Sequence, residues 1–193
     1  MILNSKIIGA DEKKIIILHG FLGSLDNWVT FAKKLSDNGY EVHLIDQRNH
    51  GKSFHSNDFN YELMANDLYK YLNEKNINKT SILGHSMGGK TAMLYSLMYP
   101  DTINKLIVVD ILPVNYNTNY DEIFEALLEI DLKEIKSRND FNIHLNKHFD
   151  DPNFILFLSK NLQRTNDRGF NFKSNIKVLY KKYKNITAGF KFI

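Results

Sequence analysis

Apolar positions in the first half of the chain alternate between two spacings. Runs such as KIIILH (Lys14–His19) and KLIVVD (Lys105–Asp110) are nearly unbroken, the pattern of strands buried on both faces of a parallel sheet. Ile2–Ile8 reads as a first, edge-like strand, and EVHLID (Glu41–Asp46) and Thr80–His85 as two more. Between the strands, helical spacing takes over. A helix is expected from about Asp26, with Trp28, Phe31, Ala32 and Leu35 on one face and Gly39 placed to end it. Tyr61–Asn73 is amphipathic through Leu63, Met64, Leu68 and Leu72, and Met87–Met98 is a helix closed by Pro100. Gln47–Asn60 reads as a polar loop. This alternation predicts an α/β architecture with a mostly parallel sheet.

After Pro113 the pattern changes. From Asn115 to about Tyr183 the chain reads as helices and loops without a strand, as in DEIFEALLEIDL (Asp121–Leu132) and PNFILFLSKNL (Pro152–Leu162). The expectation is a core over residues 1–114 and a helical lid over residues 115–193, lying on the sheet instead of forming an independent domain. The lysines of NIKVLYKKYKN (Asn175–Asn185) fit the solvated face of a helix with Val178 and Leu179 inward better than a nucleic-acid patch.

Composition narrows the classes. A length of 193 residues suits one domain with a sizeable core, and a formal net charge of +3 gives no reason to expect a nucleic-acid partner. The absence of cysteine excludes disulfides, thiolate-bound zinc and a thiol nucleophile. The N-terminus has no signal-peptide pattern, and no apolar run approaches the ~20 residues that span a bilayer. A cytoplasmic protein with no membrane partner is therefore expected.

ILGHSMGGKT (Ile82–Thr91) satisfies two catalytic motifs at once. As G-x-x-x-x-G-K-T it is a phosphate-binding loop, with Lys90 for phosphate and Thr91 for magnesium. As G-x-S-x-G it is a nucleophile elbow, with Ser86 at a strand-to-helix turn and Gly84 and Gly88 giving the turn room. The phosphate loop belongs after an early strand, yet three strands come first, and no purine-specificity motif follows. The elbow draws support from LHGFLGS (Leu18–Ser24), which follows an early strand and begins its turn at Gly20. There the Phe21 amide would be one oxyanion donor and the Met87 amide the other. On this reading Lys90 and Thr91 are helix-surface residues.

Together HGFLGSLDNW, IDQRNHGKS, GHSMGGK and VVDILPVNY resemble the α/β-hydrolases in order and spacing. Their RNHG and DILPV segments look like the small bacterial esterases of the YbfF type. The resemblance spans about Met1 to Phe190. It implies an α/β-hydrolase fold with a helical lid, here lacking the last strands. It also implies a serine esterase or thioesterase that acts on a small acyl ester or thioester and needs no cofactor. Ser86 would attack the carbonyl, a histidine would move the proton, and Asp110, at the C-terminal end of the KLIVVD strand, would orient that histidine.

The family's late histidine has no counterpart here. Only His144 and His148 follow Asp110, both in the expected lid, and the chain ends at GFKFI, about where a further strand is due. His144 and His148 stand four apart, but Leu145 occupies the place of the glutamate in H-E-x-x-H, so no metal site is expected. An impaired hydrolase is the leading expectation, a non-catalytic hydrolase-like scaffold the alternative and a nucleotide-binding phosphate loop the remote one. An uncovered KLIVVDI edge would invite an edge-to-edge dimer.

Overall fold

Side chains of β2 (Lys14–Leu18) alternate between two core layers. Ile15 and Ile17 pack with Val42 and Leu44 of β3 (Glu41–Ile45) and with Ala32 of α1 (Val29–Ser36). Ile16 and Leu18 pack on the opposite face with Ala65, Leu68 and Leu72 of α2 (Tyr61–Glu74) and Ala92 and Tyr95 of α3 (Met87–Met98). Period-two alternation through an unbroken apolar run thus gives a strand covered on both sides.

The computed structural model describes residues 1–190. Its main sheet has the order β1-β3-β2-β4-β5, completed by β1 (Ser5–Ile8), β4 (Thr80–His85) and β5 (Ile103–Val109). β3, β2, β4 and β5 are mutually parallel, and β1 runs antiparallel on the edge beside β3. The expected mostly parallel α/β architecture is present. Strand β1 begins later than the sequence reading, at Ser5 instead of Ile2. At the other edge, β5 pairs with β4 alone among the described residues, and Leu106 and Ile107 are exposed there.

Four helices follow, in the segment expected from sequence to form a lid: α4 (Asp121–Leu128), α5 (Arg138–Leu145), α6 (Pro152–Ser159) and α7 (Ile176–Thr187). Phe124, Phe141, Leu158 and Leu179 from these helices share a third apolar cluster with Phe21, Phe59 and Met87 of the first half. Within the lid lies a strand pair the sequence reading missed, β6 (Leu162–Arg164) against β7 (Phe170–Phe172). Each strand has three residues, too few for alternation to register. The strand expected from about Gly189 finds none through Phe190, and residues 191–193 lie outside the described residues.

The Gln47–Asn60 loop is also not the solvated segment its composition suggested. Gln47, Arg48, Asn49, His50 and Ser53 are all buried. Arg48 makes a two-pronged ion pair with Asp67 of α2, at 2.6 and 2.9 Å, and donates to the Asp58 carbonyl at 2.9 Å. These contacts offset the desolvation of the guanidinium. The helix expected from Asp26 starts as a short 3-10 turn over Leu25–Trp28, and Phe31 leaves the core to line a cavity.

Candidate active site

Ser86 sits between the end of β4 and the start of α3 with φ 50° and ψ −117°, a conformation that an L residue adopts only under constraint. Three contacts impose it. The Ser86 amide donates to the Val109 carbonyl at the end of β5 (3.0 Å), and the Lys90 amide donates to the Ser86 carbonyl (3.1 Å). The third is close backbone approach. A Cβ on Gly84 would stand 2.2 Å from the Gly88 carbonyl oxygen, and one on Gly88 would stand 2.4 Å from that of Leu18. Only glycine fits either position. Gly89 is similarly hemmed in, by Ile111 at 2.5 Å.

The loop after β2 is held from several sides. His19 Nδ1 donates to the Gly20 carbonyl at 2.8 Å, and His19 Nε2 accepts from the Gln47 amide at 3.1 Å. The Gln47 side chain donates to the His19 carbonyl (2.8 Å), and Asn161 of the lid donates to the Leu22 carbonyl (2.7 Å). His50 Nδ1 donates to the Arg48 carbonyl, which leaves Nε2 to accept the Leu22 amide. Each ring therefore uses one nitrogen as donor and one as acceptor, which requires neutral imidazole. Burial lowers the pKa of both, that of His50 to about 3. His50, read from sequence as an ordinary loop residue, is fully buried and braces this loop. Gly20 faces the His85 ring, where a Cβ would meet Nδ1 at 2.8 Å.

Phe21, Ser86, Met87 and Asp110, four residues singled out in the sequence, line one cavity of about 260 Å³. Among the described residues the Phe21 and Met87 amides have no acceptor. Asp110 follows β5 with φ 57°, its carboxylate largely exposed and 3.9 Å from His85 Nε2. A larger cavity of about 640 Å³ shares Phe21, Ser86 and Tyr120 with the first and is walled mainly by apolar groups, among them Trp28, Phe31, Ile123, Phe154 and Phe157. Sequence reasoning did not find this wall. Its residues come from the 3-10 turn before α1 and from α1, α4 and α6, and apolar helix positions read as core until the tertiary contacts are known.

No histidine among the described residues hydrogen-bonds to the Ser86 hydroxyl. His19 and His50 are engaged as above, and His43 is bonded to Tyr71 and Glu41. His55 lies near the Lys173 carbonyl, while His144 and His148 lie in the lid. His85 lines the larger cavity beside Ser86, facing Trp28 and Asp110.

Lys90 and Thr91 require correction, since both are buried, each 1% exposed. Lys90 Nζ donates to the carbonyls of Val114 (2.8 Å) and Ala188 (2.7 Å) and lies over the Tyr116 ring, 4.9 Å from its centre. Burial lowers its pKa. The Thr91 hydroxyl donates to the Met87 carbonyl. Both side chains are committed to protein carbonyls, an arrangement suited to tying segments together and unlike a phosphate cradle.

A family model described as alpha/beta hydrolase fold matches residues 13–185. Over 179 residues the chain is 35% identical to Esterase YbfF of Escherichia coli, covering 92% of this chain and 68% of that protein. A relative from Haemophilus influenzae with an esterase/lipase name is 34% identical over 173 residues, or 89% of this chain. The chain spans 59% of that relative's length. Among solved structures, a marine microorganism esterase is 40% identical with a TM-score of 0.95, covering all of this chain and 76% of that one.

Proposed function

The chain belongs to the α/β hydrolase family, in its esterase branch, and from that premise we propose that it is built to hydrolyse carboxylic esters or acyl thioesters through Ser86. The observation that carries this reading is the strained Ser86 turn, with the unpartnered Phe21 and Met87 amides lining the same cavity. Ser86 Oγ attacks the acyl carbonyl, and the two amides hold the oxyanion of the tetrahedral intermediate. Collapse expels the alcohol or thiol and leaves an acyl-Ser86 ester, which water hydrolyses to the free acid. The apolar cavity receives the acyl chain, and Lys34 stands among its lining residues.

Each half-reaction moves a proton off the attacking oxygen and onto the leaving group. In this reading Asp110, 3.9 Å from His85 Nε2, is the acid that orients an imidazole, and none of the described histidines hydrogen-bonds to Ser86. Without an imidazole at that position the serine turns over slowly. In a serine protease, loss of the triad base costs about 10⁶ in kcat and leaves roughly 10³–10⁴ over water. The competing reading, a hydrolase-like scaffold without turnover, predicts no acylation at all.

A fluorophosphonate probe separates the two. Slow labelling that disappears in Ser86→Ala supports the hydrolase. Absence of labelling in the wild-type chain supports the scaffold. Ester turnover within tenfold of the marine microorganism esterase would show that one of the described histidines serves as the base.

The exposed edge of β5 supports one further reading, that a second copy of this chain pairs there.

A further inference from the structure

Outside the Ser86 site, α5 and the turn after it carry two imidazoles side by side. The rings of His144 and His148 have centroids 5.3 Å apart. The helical hydrogen bonding continues past α5, with the His148 amide donating to the Leu145 carbonyl, so both rings stay on one face. Glu129, at the C-terminal cap of α4, brings Oε2 to 3.7 Å from His148 Nε2. One ligand atom from each of the three residues lies within 4.8 Å of the other two.

A second feature is the placement of His144. Its Nε2 stands 3.2 Å from the Ala126 carbonyl, which can only accept, so this nitrogen carries the proton and Nδ1 keeps its lone pair. Metal-bound histidines are commonly oriented in this way, by a hydrogen bond from the other ring nitrogen to a backbone carbonyl. An isolated Glu129–His148 ion pair would leave the His144 lone pair unused. No other carboxylate pairs with either ring among the described residues.

We propose that Glu129, His144 and His148 form a binding site for a divalent cation of the zinc class, with water completing the coordination shell. Two imidazole nitrogens and one carboxylate favour such a cation over magnesium or calcium, which prefer all-oxygen shells. Tetrahedral bonds of about 2.0–2.1 Å place neighbouring ligand atoms roughly 3.3–3.4 Å apart. The Glu129–His148 separation is close to that already, and small side-chain rotations of the exposed Glu129 and the half-buried His144 and His148 close the remainder. The bound ion would join the end of α4 to α5. α4 also carries Ile123 of the acyl cavity wall, so the site braces the lid without taking part in ester chemistry. The sequence concealed the site because the third ligand stands 15 residues before His144 on another helix.

The test is isothermal titration of the untagged chain with zinc chloride. One ion per chain is expected. Glu129→Gln and His144→Ala should each weaken binding at least about tenfold, while His55→Ala leaves it unchanged. Zinc at a hundredfold excess over Kd should raise Tm by about 5–10 °C, and the rise should vanish in Glu129→Gln. That exposed, size-preserving variant keeps the test independent of any folding defect in His144→Ala. Absence of zinc binding overturns the proposal, as does binding that survives Glu129→Gln.

Discussion

The Leu22 amide donates a hydrogen bond to His50 Nε2 at 3.2 Å, so a buried neutral imidazole fixes the loop that carries the Phe21 amide. Desolvation lowers the His50 pKa from 6.5 to about 3. Between those values the unfolded chain binds a proton that the folded chain refuses, so stability rises with pH there. The contribution is complete above about pH 6.5 and is lost as pH falls toward 3. From this group alone about 3 kcal/mol should disappear between pH 8 and pH 4. His19, shifted in the same direction by burial, adds to the slope. Urea unfolding across this range tests the effect, and His50→Gln should flatten the dependence. An unchanged slope in that variant would remove His50 as its cause.

Gly84→Ala should be among the most damaging small substitutions in the chain. Its methyl group would meet the Gly88 carbonyl oxygen at 2.2 Å, and the atoms it meets are all backbone, with no side chain to rotate away. The expected cost is on the order of 3 kcal/mol, together with loss of probe labelling at Ser86. A variant that unfolds at the wild-type urea midpoint and labels normally would contradict the tight-turn account.

Lys90→Met should loosen the end of the lid. The ammonium group satisfies the Val114 and Ala188 carbonyls, which join the segment after β5 to the end of α7. Methionine fills similar space but leaves both acceptors without their donor, at a cost of about 1–3 kcal/mol. Limited proteolysis should then cut around Ala188 well before the wild-type chain is cut. Equal digestion rates would mean that the ammonium does not hold the lid.

The β5 edge makes a prediction about association. If a second copy pairs there, light scattering should report a dimer at high concentration, and Ile107→Lys should return it to monomer by placing a charge on the edge. A wild-type chain that remains monomeric at high concentration would remove edge pairing from consideration.

Several elements were legible in the sequence because their causes are local. The unbroken apolar run of β2 dictated a strand buried on both faces, and the spacing in α2 dictated its inward face. Gly84, Ser86 and Gly88 announced a tight turn as a motif. For Gly84 the steric reason is local, since its Cβ would meet Gly88 and Gly89; for Gly88 it is tertiary, the close approach of the Leu18 carbonyl. The lid strands β6 and β7 were not legible, being three residues each and stabilised by one another. Nor was the burial of Arg48, whose partner Asp67 stands 19 residues away on α2.

What the sequence determined by itself was the α/β class and the turn at Ser86, since periodicity and the Gly84–Gly88 contact are properties of short segments. Tertiary structure decided what the polar side chains do. Lys90 completes a phosphate-loop pattern in sequence yet serves as a buried tie, because carbonyls from two distant chain segments converge on its ammonium group. His50 looks like a solvated loop residue and is a neutral brace, because burial removes the water that would stabilise its charge. Hydrogen bonds and desolvation depend on neighbours distant in the chain, and no pattern along the chain encodes them.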